Sequence, residues 1–299
     1  MNQDEMREKI RAGGGFIAAL DQSGGSTPKA LKGYGLEEDA WSNDEEMFGL
    51  IHKMRQRIIS SPCFASGKVI GAILFERTMD GEVGGKPVPQ ALIDLGIVPF
   101  IKIDKGLEPE ENGVQVMKPM PELDALLARA RSLGVFGTKE RSVINSANAA
   151  GIAVAVAQQF QVARQVLAHG LVPIIEPEVN IKSADRAESD DLLLAAILEE
   201  LDEIPDGQQV MLKLSIPAEA GLFEPLIDHS KVLRVVALSG GFSREEACRE
   251  LAKNPGMIAS FSRALLSDLR SQQSDAEFDA TLGGAVDEIY SASTAKVPA

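Results

Sequence analysis

The sequence predicts an α/β chain folded as a single-domain (β/α)8 TIM barrel, and three observations carry that prediction. Eight short apolar runs succeed one another, most of them separated by helical sequence. No linker-like stretch divides them into separate units. Charged and Gly-rich residues stand at the C-terminal ends of the runs, the face on which such barrels carry their active sites. An open, doubly wound sheet is the alternative for alternating strands and helices; the count of eight and the placement of the polar residues favour the barrel. The expected domain spans 1–299, with an N-terminal helix at 3–12 and a C-terminal helical segment at 276–292.

Taken in order, residues 3–12 are polar and weakly amphipathic and stop at Gly13-Gly14-Gly15, which reads as a short helix. The first strand is Phe16-Ile17-Ala18-Ala19-Leu20, ended by Asp21 and the loop Gln22-Ser23-Gly24-Gly25-Ser26. A helix over about 44–60 leads to the second strand, 71–76, and the following loop, rich in Gly and charge through Val88, is expected to be mobile. The third strand is 98–104, closed by Lys105-Gly106. A helix over about 120–133 precedes Gly137-Thr138-Lys139-Glu140-Arg141, a fourth element too polar to identify as a strand by pattern alone. Residues 145–169 are Ala-rich and stop at Gly170, the signature of a helix with a glycine terminator. The fifth strand is 172–178, followed by a helix over 184–203 and a sixth strand, 210–215. The seventh, 235–239, runs into Gly240-Gly241, after which Ser243-Arg244-Glu245-Glu246 has the form of a capping box opening a helix. The eighth, 257–261, ends at Ser262-Arg263, and helical sequence fills 264–271 and 276–292.

Composition narrows the function. A formal charge of -14 and 44% hydrophobic residues give a chain with a large core whose field repels polyanions, which argues against nucleic acid or an anionic membrane as partner. No stretch is long and apolar enough to span a bilayer, and the charged start Met1-Asn2-Gln3-Asp4-Glu5 is unlike a signal peptide, so a cytoplasmic location is expected. Cys63 and Cys248 stand far apart and outside any metal or redox spacing, so two reduced thiols are expected. His52, His169 and His229 form no ligand pattern, and no metal or other cofactor is expected. Homo-oligomer formation is compatible with the sequence and not specified by it.

The residue that demands explanation is Lys213, inside the apolar run Val210-Met211-Leu212-Lys213-Leu214-Ser215. A buried, unpaired ammonium is costly, so such a lysine finds a carboxylate or becomes neutral, and a neutral lysine can attack a carbonyl to form a Schiff base. The bland reading is a strand-end lysine that reaches solvent or pairs structurally. Residues two apart on a strand share a face, so Lys102 with Asp104, Lys139 with Arg141, and Glu176 with Glu178 form three further charged pairs at strand ends. With Asp21 and Lys213 they make four cations and four anions at one barrel mouth, a balanced set that can be buried by mutual pairing. Ser239-Gly240-Gly241 after the seventh strand and Arg263 after the eighth occupy the place where such barrels bind phosphate, with a bidentate contact available from the guanidinium.

This ordered set resembles class I fructose-bisphosphate aldolase, most of all its shorter bacterial members, from about residue 14 to 265. The resemblance rests on Leu20-Asp21, Ile101-Lys102-Ile103-Asp104-Lys105-Gly106, Lys139-x-Arg141, Val172-Pro173-Ile174-Ile175-Glu176-Pro177-Glu178, Leu212-Lys213, Leu238-Ser239-Gly240-Gly241 and Ser262-Arg263-Ala264. It implies a metal-independent lyase that reversibly cleaves fructose 1,6-bisphosphate to dihydroxyacetone phosphate and glyceraldehyde 3-phosphate, in glycolysis or gluconeogenesis. By resemblance Lys213 is the Schiff-base lysine, Glu176 the acid/base for the carbinolamine, Asp21 the group acting on the C4 hydroxyl, and Lys139 the cation that keeps the amine reactive. Arg141 and Glu178 match the supporting network, Lys102 a lysine near the distal phosphate, and Ser239, Gly240 and Arg263 the site of the C1 phosphate. Two stretches depart from the animal enzymes: Gln22 stands where they have Glu, and Lys29-Ala30 where they have Lys-Arg. Their C-terminal tail also ends in a tyrosine used in proton transfer, for which Tyr290 is a poor substitute.

The physical reading is consistent with these roles. Neighbouring cations such as Lys139 are expected to draw Lys213 from the ordinary lysine pKa of ~10.4 toward ~7–8, and burial is expected to raise Glu176. The alternatives are another Schiff-base barrel sugar-phosphate aldolase or transaldolase, separable by substrate profile, and a non-catalytic sugar-phosphate-binding protein, separable by turnover.

Overall fold

The computed structural model describes residues 1–298. Eight strands lie side by side in chain order, all neighbours parallel: β1 (Phe16–Leu20), β2 (Val69–Leu74), β3 (Val98–Lys102), β4 (Gly137–Ile144), β5 (Val172–Val179), β6 (Val210–Ser215), β7 (Val232–Leu238) and β8 (Ile258–Ala259). The seam between β8 and β1 is joined by the Ala19 N–H, which donates to Phe261 O at 3.1 Å. Helices surround the sheet, and the expected (β/α)8 barrel is what the chain forms.

Strand periodicity explains the interior. Alternate residues point inward, and Ile17, Ala19, Phe100, Ile174, Met211, Val236 and Ile258 pack into one buried apolar cluster. Met6 and Ile10 of the helix Gln3–Ala12 join that cluster, so the first helix lies against the N-terminal end of the barrel. Phe100 is the largest side chain from a strand in this cluster, and its ring is accommodated by glycine. A Cβ on Gly137 would come within 3.0 Å of that ring and 2.1 Å of Val172 O. Two residues further along each strand, the same inward face carries Asp21, Lys102, Lys139, Glu176 and Lys213. One apolar layer therefore forms the floor beneath one charged layer.

The polar element 137–141 is a full strand, β4, and extends to Ile144. Its polarity has a cause on each face: Lys139 and Arg141 belong to the charged layer, while Thr138, Glu140 and Ser142 are buried against the surrounding helices. The segment after β2 is correspondingly more ordered than its composition implies. It forms a helical turn, Glu76–Met79, then a hairpin pairing Glu82–Val83 with Lys86–Pro87, then the helix Val88–Asp94. Gly84 and Gly85, at φ +60 and +75, supply the left-handed turn that the hairpin requires.

Other boundaries moved by a few residues. The Ala-rich helix covers Ala149–Ala168 because the Asn148 side chain accepts from the Gly151 N–H and caps it there. The expected capping box at Ser243 and Glu246 is formed and opens the helix Arg244–Ala252. The loop after β1 leads into a further helix, Ser26–Gly33, and 264–271 is helical only over Arg263–Leu266. The last helix is Asp275–Thr294. Both cysteines are free. No helix among the described residues is long and apolar enough to cross a membrane.

Candidate active site

Four charged side chains, one just past β1 and one each from within β4, β5 and β6, meet in the barrel interior above the apolar floor. Lys139 Nζ stands 2.7 Å from Asp21 Oδ2 and 2.8 Å from Glu176 Oε2, and Lys213 Nζ stands 3.1 Å from Glu176 Oε1. Lys139, Glu176 and Lys213 are each 3% exposed and Asp21 8%, so the chain Asp21–Lys139–Glu176–Lys213 is a buried network of two carboxylates and two ammoniums. Lys213 does not reach solvent, which removes one half of its bland reading.

The remaining four charges form two flanking pairs. Lys102 Nζ lies 2.7 Å from Asp104 Oδ1, and Arg141 donates from Nε to Glu178 Oε2. All eight expected charges are thus paired with one another, as the need to offset desolvation requires. Lys102 is engaged with Asp104 in this arrangement, including a bond to its backbone oxygen at 3.1 Å.

Electrostatics fixes the charge states within the network. Burial opposes ionisation of Asp21, but the charges of Lys139 and Lys213 outweigh it and hold the carboxyl well below the usual range. Burial likewise opposes the Lys139 charge, while Asp21 and Glu176 raise its pKa, so Lys139 stays cationic. The expectation for Glu176 needs correction. Burial does push its pKa upward, yet Lys139 and Lys213 together pull it down, and the net shift is to a lower value. Two ammoniums on one carboxylate overcome the desolvation that the sequence argument considered alone.

Residues outside the expected set hold the network in place. Gln159, on the helix Ala149–Ala168, accepts the Glu176 backbone N–H at 2.8 Å and donates to Ser142 Oγ. Nothing local marks Gln159 in the sequence, since Gln158, Gln161 and Gln165 lie on the same helix and only burial sets it apart. Arg55 is also fully buried. It donates to Thr78 Oγ1 at 2.7 Å and to the backbone and side-chain oxygens of Gln22 at 2.6 and 3.1 Å. Burial lowers its pKa to about 10, partly offset by Asp21. Glu140 is buried on the outer face of β4, where desolvation and Asp104 raise its pKa well above normal.

The loops after β7 and β8 meet at the same end of the barrel. Phe242 N–H donates to Ser239 O at 2.8 Å, closing a tight turn with Gly240 and Gly241 at φ +57 and +109. The Arg263 guanidinium is exposed and approaches this turn, with Nη2 3.8 Å from the point where a Gly241 Cβ would sit. Ser239 is nearly buried at the base of the turn. Tyr290, by contrast, is far from the charged layer. Lys68, which lies 5.7 Å over its ring, immediately precedes β2, so Tyr290 belongs to the opposite end of the barrel.

Comparison with known proteins agrees with this architecture. The family model described as fructose-bisphosphate aldolase class-I matches residues 3–212. Among solved structures, the fructose-bisphosphate aldolase of Plasmodium falciparum, in complex with TRAP and a small-molecule inhibitor, is 22% identical. The match covers 99% of this chain and 96% of that one, with a TM-score of 0.79. A Corynebacterium glutamicum protein matches at 15% identity over 97% of this chain and 92% of that one, with a TM-score of 0.56. A Schiff-base-forming fructose-1,6-bisphosphate aldolase, solved to follow its reaction intermediates, matches at 14% over 97% of this chain and 100% of that one, also with a TM-score of 0.56. At these identities the solved structures show a shared fold.

Proposed function

This chain belongs to the class I fructose-bisphosphate aldolase family, and from that premise we propose that it cleaves fructose 1,6-bisphosphate reversibly through a Schiff base on Lys213. The products are dihydroxyacetone phosphate and glyceraldehyde 3-phosphate. The observation that carries the reading is a buried lysine whose amine faces a carboxylate at 3.1 Å, with a second cation on the other oxygen of that carboxylate. The family match ends one residue before Lys213, so the role of this lysine rests on that geometry.

Each residue then has a chemical task. Glu176 takes one proton from the Lys213 ammonium so that the freed amine attacks the C2 carbonyl, then relays that proton and a second one from the nitrogen to the C2 oxygen, which leaves as water while the nitrogen keeps its last proton as the iminium. The resulting iminium accepts the electron pair released when the C3–C4 bond breaks, and Asp21 takes the proton of the C4 hydroxyl as that carbon becomes an aldehyde. Lys139 remains cationic throughout and keeps Asp21 and Glu176 ionised until each is needed. Ser239, Gly240 and Arg263 take the C1 phosphate; Lys102, Arg141 and Glu178 line the substrate side of the charged layer. Because the iminium is the electron sink, no metal or other cofactor takes part, and chelation leaves turnover unchanged. Sugar phosphates are the proposed partners and the cytoplasm the proposed location.

The test is borohydride reduction in the presence of dihydroxyacetone phosphate, followed by peptide mapping. A stable adduct on Lys213 is expected; an adduct on Lys102, Lys105 or Lys139 would overturn the assignment. Turnover on fructose 1,6-bisphosphate against other sugar phosphates then fixes the substrate.

A further inference from the structure

We propose that Gln22 is a positioning residue for the phosphate-gripping Arg263, acting across the seam of the barrel through Ser262. The inference rests on the phosphate role given to Arg263 above. It starts from an oddity at the helix Arg263–Leu266: Ser262 occupies the N-cap position, yet its hydroxyl makes no cap bond to that helix. The hydroxyl is engaged elsewhere, accepting from Gln22 Nε2 at 2.5 Å.

The orientation of the Gln22 amide is forced. Arg55 can only donate, and its Nη2 lies 3.1 Å from Gln22 Oε1, so the oxygen of the amide must face Arg55 and the nitrogen must face Ser262. Arg55 is itself immobile, being fully buried and bound at once to Thr78 Oγ1 and Gln22 O. Among the described residues it has no carboxylate within ion-pair distance, so its bonds to Gln22 are the main compensation for a buried charge and are not readily exchanged. A rigid cation therefore fixes a glutamine, and the glutamine fixes the first residue of the turn that carries Arg263.

The seam is where such a tie has most effect. β8 is only two residues long, and Ala19 N–H to Phe261 O joins its continuation to β1. Ser262 follows directly, at φ -107 and ψ -81, outside the strand. Without Gln22, the position of Arg263 would depend on a short helix of four residues with no side-chain cap. Binding of phosphate by a guanidinium depends on both distance and angle, so losing the tie is expected to cost phosphate affinity rather than chemistry.

The experiment is a double-mutant cycle of Gln22→Met and Ser262→Ala, read by borohydride trapping of dihydroxyacetone phosphate and of unphosphorylated dihydroxyacetone. Each single variant is expected to raise the half-saturating concentration of dihydroxyacetone phosphate about tenfold, the scale of one lost hydrogen bond. The rate of trapping at saturation and the half-saturation for dihydroxyacetone should stay near those of the unmutated protein. The double variant should be no worse than the weaker-binding single variant, because both substitutions cut one link. Equal losses for the two ligands, no loss for either, or losses that multiply in the double variant would overturn the proposal. Ser262→Ala removes only one hydroxyl from a half-buried residue, so it reports even if Gln22→Met folds poorly. If the unmutated protein traps no adduct on Lys213, the functional reading fails; if it does and the variants behave like it, only the role of Gln22 fails.

Discussion

Lys213 Nζ faces Glu176 Oε1 at 3.1 Å, with both side chains sealed from solvent. This contact does not isolate the pair, because the second oxygen of Glu176 lies beside Lys139. The two lysines bound to one carboxylate are therefore not equivalent, and their removal should cost the fold unequally.

Lys213→Met leaves Glu176 with a cation at 2.8 Å and replaces the amine by an apolar chain of similar length. The expected outcome is a folded protein destabilised by less than about 1.5 kcal/mol, with no trapped adduct and turnover lower by several orders of magnitude. Circular dichroism melts and initial-rate assays measure both. Substantial cleavage by the folded variant would sink the Schiff-base assignment.

Lys139→Met should behave differently. It strips Asp21 and Glu176 of the cation they share and leaves Asp21 with no ammonium at ion-pair distance. A loss of about 3–5 kcal/mol is expected, the scale for breaking a buried charge network from one side. Urea titration of the two lysine variants side by side checks the ranking; equal stability would mean that Lys139 is not the central cation.

Arg263→Ala removes an exposed guanidinium that stands over the Gly240-Gly241 turn. The Michaelis constant for a phosphorylated substrate should rise by at least about tenfold, the cost of a charge-assisted contact, with little change for an unphosphorylated analogue. Parallel losses on both substrates would assign Arg263 a structural role.

Asp190 makes a prediction about pH that is independent of catalysis. Burial raises its pKa to about 6 from an ordinary 3.8, against the opposing pull of the Ala218 N–H and Arg186. A carboxyl with a raised folded pKa binds its proton more tightly in the native state. Its contribution to stability is therefore full below about pH 4, falls as pH rises and is lost above about pH 6. Asp190→Asn keeps an acceptor for Ala218 without the charge. It should be more stable than the unmutated protein at pH 7.5 by roughly 1–3 kcal/mol, with the gain vanishing near pH 4. Denaturation at both pH values measures it, and a difference independent of pH would show that burial does not set the Asp190 titration.

Much of this protein is determined by order along the chain. Apolar runs of strand length alternate with helix-forming sequence, so a barrel in which consecutive strands are neighbours can be read directly, and residues two apart must share a face. That is why Lys102, Lys139, Glu176 and Lys213 could be placed in one layer from sequence, and why β1, β6 and the Ser243 capping box fall where periodicity and local chemistry put them. Only the tertiary structure decided which charge meets which. Lys139, rather than Lys213, bridges Asp21 and Glu176, and the Glu176 pKa falls because two ammoniums from different strands converge on it. The strand identity of β4 was hidden for the same reason: its polar residues are buried by partners on β1, β5 and the helix Ala149–Ala168, far away in sequence. Arg55, Gln22 and Ser262 likewise carry no local signature, because a hydrogen bond spanning 240 positions exists only once the first and eighth strands are brought together.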